Sequence, residues 1–145
     1  MRKEIDVLME NYDFSCWVIK YDGKSIYGKI YRKGCLKECD GMIVPLLWNH
    51  RHGDPDSVLG HALLEHCEEG VYAYCTLNDG SCKEIVEQLI HYKGSVALSP
   101  YVNKLKIVSG KYIASGVIRE VSLVPERIDP DEAYYPVMKE SEKGE

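Results

Sequence analysis

Val71-Tyr72-Ala73-Tyr74-Cys75-Thr76-Leu77 decides the fold class. Val71, Ala73, Cys75 and Leu77 alternate with Tyr72, Tyr74 and Thr76, the period-two pattern of a strand whose two faces meet different surroundings. Working upstream, Glu68-Glu69-Gly70 separates this run from the β-prone stretch Val58 to Cys67, which predicts a hairpin. Ile43 to His50 reads as an apolar strand with a polar end. Ser15 to Tyr21 and Ile26 to Tyr31, divided by Asp22-Gly23-Lys24, read as a second hairpin. Downstream, Val96 to Tyr101, Lys104 to Val108, Lys111 to Ala114 and Val117 to Val124 complete the strands.

One helix interrupts them. Ser81 followed by Glu84 forms a capping box, in which each side chain satisfies the other's orphan backbone N–H. Ile85, Val86, Leu89 and Ile90 then supply an apolar stripe at helical spacing, and Gly94 after Lys93 is a stop signal. The expected class is α+β, mostly β: a curled sheet or small barrel, closed or partly open, with the helix packed on it.

The chain has 145 residues, of which 45% are hydrophobic and 28% charged, so one domain with its own core is expected. From Asp129 the composition changes. Asp129, Asp131, Glu132, Glu140, Glu142 and Glu145 face only Lys139 and Lys143, and Pro130 and Pro136 break regular structure. The expected organisation is therefore a domain over residues 1–128 and a loosely held acidic tail over 129–145.

Charge and apolar runs narrow the function classes. With 18 Lys+Arg against 23 Asp+Glu the net charge is −5, which argues against a surface built to bind nucleic-acid phosphates. The longest apolar run, Met42 to Trp48, falls far short of the about 20 residues needed to span a bilayer. Glu4, Asp6, Glu10 and Asp13 stand where a secretory signal would be apolar, so the six cysteines are expected to be reduced thiols in a cytosolic setting.

Three residues draw attention as carriers of chemistry. His50 closes Pro45-Leu46-Leu47-Trp48-Asn49-His50, and on a strand it shares a face with Leu46 and Trp48. An imidazole with one wet and one dry side suits a general base, although a surface histidine at a strand end looks the same. Ser99 lies in the apolar run Val96 to Tyr101, where a hydroxyl must find a partner. A nucleophile meets that need with a base, and an ordinary core serine meets it with a backbone carbonyl. Ser95, in the turn after Gly94, is the weaker rival. Glu120 is flanked by Ile118 and Ser122 on one face of Val117 to Val124, so it requires a donor if buried. A histidine ring would make it the orienting acid of a Ser–His–acid triad; an arginine would make it half of a structural ion pair.

Together these blocks resemble the prohead maturation proteases of tailed bacteriophages. The similarity covers about Phe14 to Glu126, through Val44 to His50, Val58 to Ala62, Glu69 to Tyr74, Leu98-Ser99 and Gly116 to Val124, in family order. The resemblance implies a serine endopeptidase with His50 as base, Ser99 as nucleophile and Glu120 as third member. It further implies a small antiparallel barrel with helices, like that of the herpesvirus assemblins, and no cofactor. The implied substrates are the phage major capsid protein and scaffolding segments, cut inside the assembling procapsid in the host cytoplasm. It leaves room for self-cleavage and for a homo-oligomer.

The chain departs from the family pattern at Pro100, which has no N–H to offer an oxyanion, at Ser115 in place of a histidine, and at the ending Pro125 to Pro130. Those departures keep open a catalytically weakened or inactive module of the procapsid with the same fold. A metal site is the remaining rival, assembled from His50, His52, His61, His66 and Cys67, or from Cys35 and Cys39, but no zinc signature spaces them.

Overall fold

The computed structural model describes residues 11–25, 28–51, 53–91 and 96–125. Seven strands form one sheet: β1 (Phe14–Lys20), β2 (Ile30–Tyr31), β3 (Ile43–Trp48), β4 (Val58–His66), β5 (Gly70–Leu77), β6 (Val96–Ser109) and β7 (Tyr112–Pro125). A helix, α1 (Ser81–His91), joins β5 to β6. The hydrogen-bonded order is β1-β5-β4-β3-β7, after which β7 carries β2 along one edge and β6 along the other. The sheet curls until β1 and β6 touch, and among the described residues no ladder pairs them. The result is a partly open half-barrel, mostly β with one described α-helix.

The period-two reading of β5 holds in detail. Val71, Ala73, Cys75 and Leu77 enter the main core, together with Leu46, Leu98, Val121 and Leu123 from the strands around the curl. Tyr72 and Tyr74 point the other way, into a second cluster with Trp17 and Leu63. There the Tyr72 hydroxyl lies 2.8 Å from that of buried Ser15. The β4–β5 hairpin also forms as expected, closed by Cys67 N–H to the Gly70 carbonyl at 2.7 Å. Gly70 is required there, because a Cβ would land on the Ile19 carbonyl.

Other expectations are corrected. The hairpin expected of Ser15 to Tyr21 and Ile26 to Tyr31 is not seen among the described residues: β1 runs antiparallel to β5, and the short β2 runs parallel to Tyr112–Ile113 of β7. Asp22, with φ of 54°, turns the chain away, and its N–H bonds the Tyr31 carbonyl at 2.8 Å. The sheet is not wholly antiparallel, since β3 also runs parallel to β7. The four predicted C-terminal strands are two long ones, and their ladder carries register slips between Tyr101 and Ser109, one of which spans Lys104 (φ 52°).

In α1, Val86 and Ile90 reach the core and Leu89 packs beside them, but Ile85 is 60% exposed. One of the four stripe positions therefore faces out. The Ser81 side chain, the Gly94 stop, Ser95, His52, and the boundary at residue 128 with its acidic tail lie outside the described residues. No disulfide links any two of Cys16, Cys35, Cys39, Cys67 and Cys75. No helix among the described residues is long and apolar enough to cross a membrane.

Candidate active site

His50 and Glu120 meet on the face of the sheet turned away from the main core, and Ser99 projects from that same face. A β-bulge and a left-handed turn put them there. Along β7, Tyr101 faces Glu120 but Val102 faces Ile118, so Arg119 is an extra residue. A bulge of this kind reverses the alternation. Ile118 thereby turns into the core while Glu120, Ser122 and Val124 share the opposite face. The expectation that Ile118 and Glu120 share a face is thus corrected, and the bulge is what carries the carboxylate out of the core.

Ser99 sits directly across from Ser122 in the β6–β7 ladder, so both hydroxyls project from the same face, with Cβ atoms about 5 Å apart. Neither is wet: Ser99 is 3% exposed and Ser122 fully buried. Leu47 of β3 pairs with Ser122 from the other side. A row therefore runs Leu47–Ser122–Ser99 across three strands.

His50 arrives by a turn and not by strand alternation. β3 stops at Trp48, and Asn49 and His50 both adopt left-handed conformations, with φ of 50° and 55°. Such residues cost of order 1–2 kcal/mol each unless the surroundings hold them, and Asn and His tolerate the region better than most. Here β7 holds them. Asn49 donates its N–H to the Leu123 carbonyl at 2.9 Å, and His50 donates its N–H to Ser122 Oγ at 3.0 Å. The turn carries the imidazole to the Glu120 side of the sheet, so His50 does not continue the Leu46–Trp48 stripe.

The ring meets the carboxylate. His50 Nδ1 lies 3.8 Å from Glu120 Oε1, an ion-pair separation slightly longer than a hydrogen bond. Both ring nitrogens and that oxygen are screened from solvent. A carboxylate at this distance from Nδ1 orients the ring and sets which nitrogen keeps the proton. Arg119, next to Glu120 in sequence, is solvent-facing, and an ion-pair partner of Glu120 among the described residues is His50.

Ser122 is the residue whose part the sequence did not announce. It appeared only as a neighbour on the face of Glu120, yet its hydroxyl fixes the backbone of His50 and it stands between that turn and Ser99. Pro100 follows Ser99 inside the ladder, opposite Val121. A proline is tolerated there because β6 pairs only with β7, leaving its other edge without a ladder partner among the described residues.

Among the described residues no three His, Cys, Asp or Glu side chains converge to hold an ion. The Cys35 and Cys39 region is an apolar corner, where burial pushes the Cys35 thiol up to about 11 and raises that of Cys39 as well. Beside the candidate site an open cleft of about 280 Å³ is lined by Leu47, Arg51, Gly53, Asp54, Pro55 and Val58. No family model matches the chain, and no curated protein or solved structure matches it.

Proposed function

We propose that the chain is a serine endopeptidase of the prohead-maturation type, with Ser99 as nucleophile, His50 as general base and Glu120 as the acid that orients it. The observation that carries this reading is the convergence of an imidazole, a screened carboxylate at 3.8 Å and a buried serine row on one sheet face, from three separate segments of sequence. An ordinary structural ion pair accounts for neither the two left-handed residues at Asn49 and His50 nor the bulge beside Glu120, since both cost stability and serve placement.

The chemistry is acyl transfer. His50 takes the proton from Ser99 as Oγ attacks a peptide carbonyl, forming a C–O bond and a tetrahedral oxyanion. The imidazolium, stabilised by Glu120, then protonates the departing amine as the C–N bond breaks. Water, deprotonated by the same ring, hydrolyses the ester and restores the serine. The proposed substrates are the major capsid protein and scaffolding segments of a tailed phage, cut inside the assembling procapsid in the host cytoplasm, and the fold is proposed to be of the herpesvirus-protease kind. Self-cleavage and self-association belong to the same proposal.

The test is co-expression with the capsid protein of the same phage. A shortened capsid product is expected, and Ser99→Ala or His50→Ala abolishes it. Undiminished cleavage by Ser99→Ala removes the nucleophile from the assignment.

Pro100 favours a second reading, an inactive procapsid module of the same fold. If the amide after the nucleophile were an oxyanion donor in active relatives, its loss would cost on the order of 10²–10³ in turnover. A capsid protein that binds the chain but is never shortened is the outcome that selects this reading.

A further inference from the structure

The serine row does not end at Leu47. In the β3–β4 ladder Leu46 faces Gly60 and Leu47 faces Val58, so Leu59 is an extra residue and a second bulge turns Val58 onto the same face as Leu47. The row therefore runs Val58–Leu47–Ser122–Ser99 across four strands. Neighbouring strands stand about 4.8 Å apart, which puts Leu47 about 10 Å and Val58 about 14 Å from Ser99. The cleft beside the site opens at that far end, and Leu47, Pro55 and Val58 give it an apolar floor.

The loop that walls this cleft is braced. Ser57, 4% exposed, donates its hydroxyl toward the Arg51 carbonyl at 2.7 Å and the Asp54 carbonyl at 2.8 Å. The Asp54 carboxylate accepts the Asp56 N–H at 3.0 Å, which commits its oxygen to the loop itself. A cleft with this apolar floor and a braced wall, with Arg51 and Asp54 of opposite charge in its lining, suits an uncharged, apolar side chain.

We propose that this cleft is a remote specificity subsite for the peptide substrate, taking an apolar side chain such as Leu, Ile, Met or Phe. This rests on the endopeptidase reading above. An extended peptide advances about 3.3 Å per residue, so a chain reacting at Ser99 and lying along the row reaches the cleft about three to four residues from the scissile bond. The subsite thus selects at a distance, and the residues flanking the bond are chosen elsewhere.

The experiment uses the full chain and a peptide library made by digesting a bacterial proteome, with cleavage sites read by mass spectrometry. The wild type is expected to show apolar enrichment at one position, about three to four residues from the cut. Val58→Glu changes a residue already 41% exposed, so the fold tolerates it, and it is expected to lower kcat/KM for such peptides about tenfold or more and to erase the enrichment. Ile85→Glu, on the exposed side of α1, is expected to keep the wild-type preference. Cleavage with no such enrichment, or with enrichment that survives Val58→Glu, overturns the subsite and leaves the endopeptidase reading standing. No cleavage beyond that of Ser99→Ala overturns both.

Discussion

Replacing Glu120 by Gln isolates one charge. The amide has the same shape and volume as the carboxylate, so packing against β6 and the turn at His50 is preserved while the negative charge opposite the ring is lost. At the observed 3.8 Å, opposite unit charges attract by about 4 kcal/mol at an effective dielectric constant of about 20. In the proposed mechanism the ring becomes charged when it accepts the Ser99 proton, so that attraction acts mainly on the transition state. With about 1.36 kcal/mol per tenfold change in rate, the full figure is an upper bound of about three decades. The expected result is a kcat lower by about 10²–10³, a KM within a few-fold of wild type and a melting temperature within a few degrees. Steady-state cleavage of the capsid substrate and a thermal melt on the same preparation make the comparison. A Gln variant with wild-type kcat refutes the role given to Glu120. One that unfolds at working temperature while its folded fraction keeps full activity shows that the carboxylate is structural.

Ser122→Ala removes the acceptor of the His50 N–H and is expected to cost about 1–3 kcal/mol, seen as a lower denaturation midpoint, with a drop in kcat that Ser122→Thr partly restores. An unchanged midpoint and rate refute the anchoring argument. Gly60→Ala would place a methyl on the Thr76 carbonyl and against Leu77 in the β4–β5 ladder, so a loss of at least about 2 kcal/mol is expected in urea unfolding. Stability is also expected to fall as pH climbs from about 9 to about 11. Cys35 stays protonated to about 11 in the folded chain, whereas its unfolded counterpart ionises earlier, so the native state holds more protons across that window. Cys35→Ala flattens this decline in a pH series of chemical melts, and an unchanged slope contradicts the assignment.

What was legible from sequence follows from what is local. Alternation at Val71 to Leu77 and the Glu68-Glu69-Gly70 turn are properties of adjacent residues, and β4 and β5 form as they predict. The pairing of β1 with β5, and of β2 with β7, depends on how the sheet curls, so the expected first hairpin is not formed among the described residues. The face of Glu120 could not be read either. Strict alternation groups it with Ile118, and only the extra residue Arg119, visible as a register slip against Tyr101 and Val102, separates them. His50 likewise looked like a strand residue, because two consecutive left-handed conformations have no signature beyond an Asn-His pair. Ser99 and Glu120 nonetheless stand out in the sequence, since a hydroxyl and a carboxylate inside apolar runs demand partners wherever the strands end up.

The central claim is that the Ser99 hydroxyl is activated by the His50 ring, and covalent labelling tests it most directly. The full chain treated with a fluorophosphonate, digested and sequenced by mass spectrometry, is expected to carry one phosphonyl group on Ser99, with the adduct lost in His50→Ala. An adduct on Ser122, or labelling of Ser99 that is as fast without His50, contradicts it.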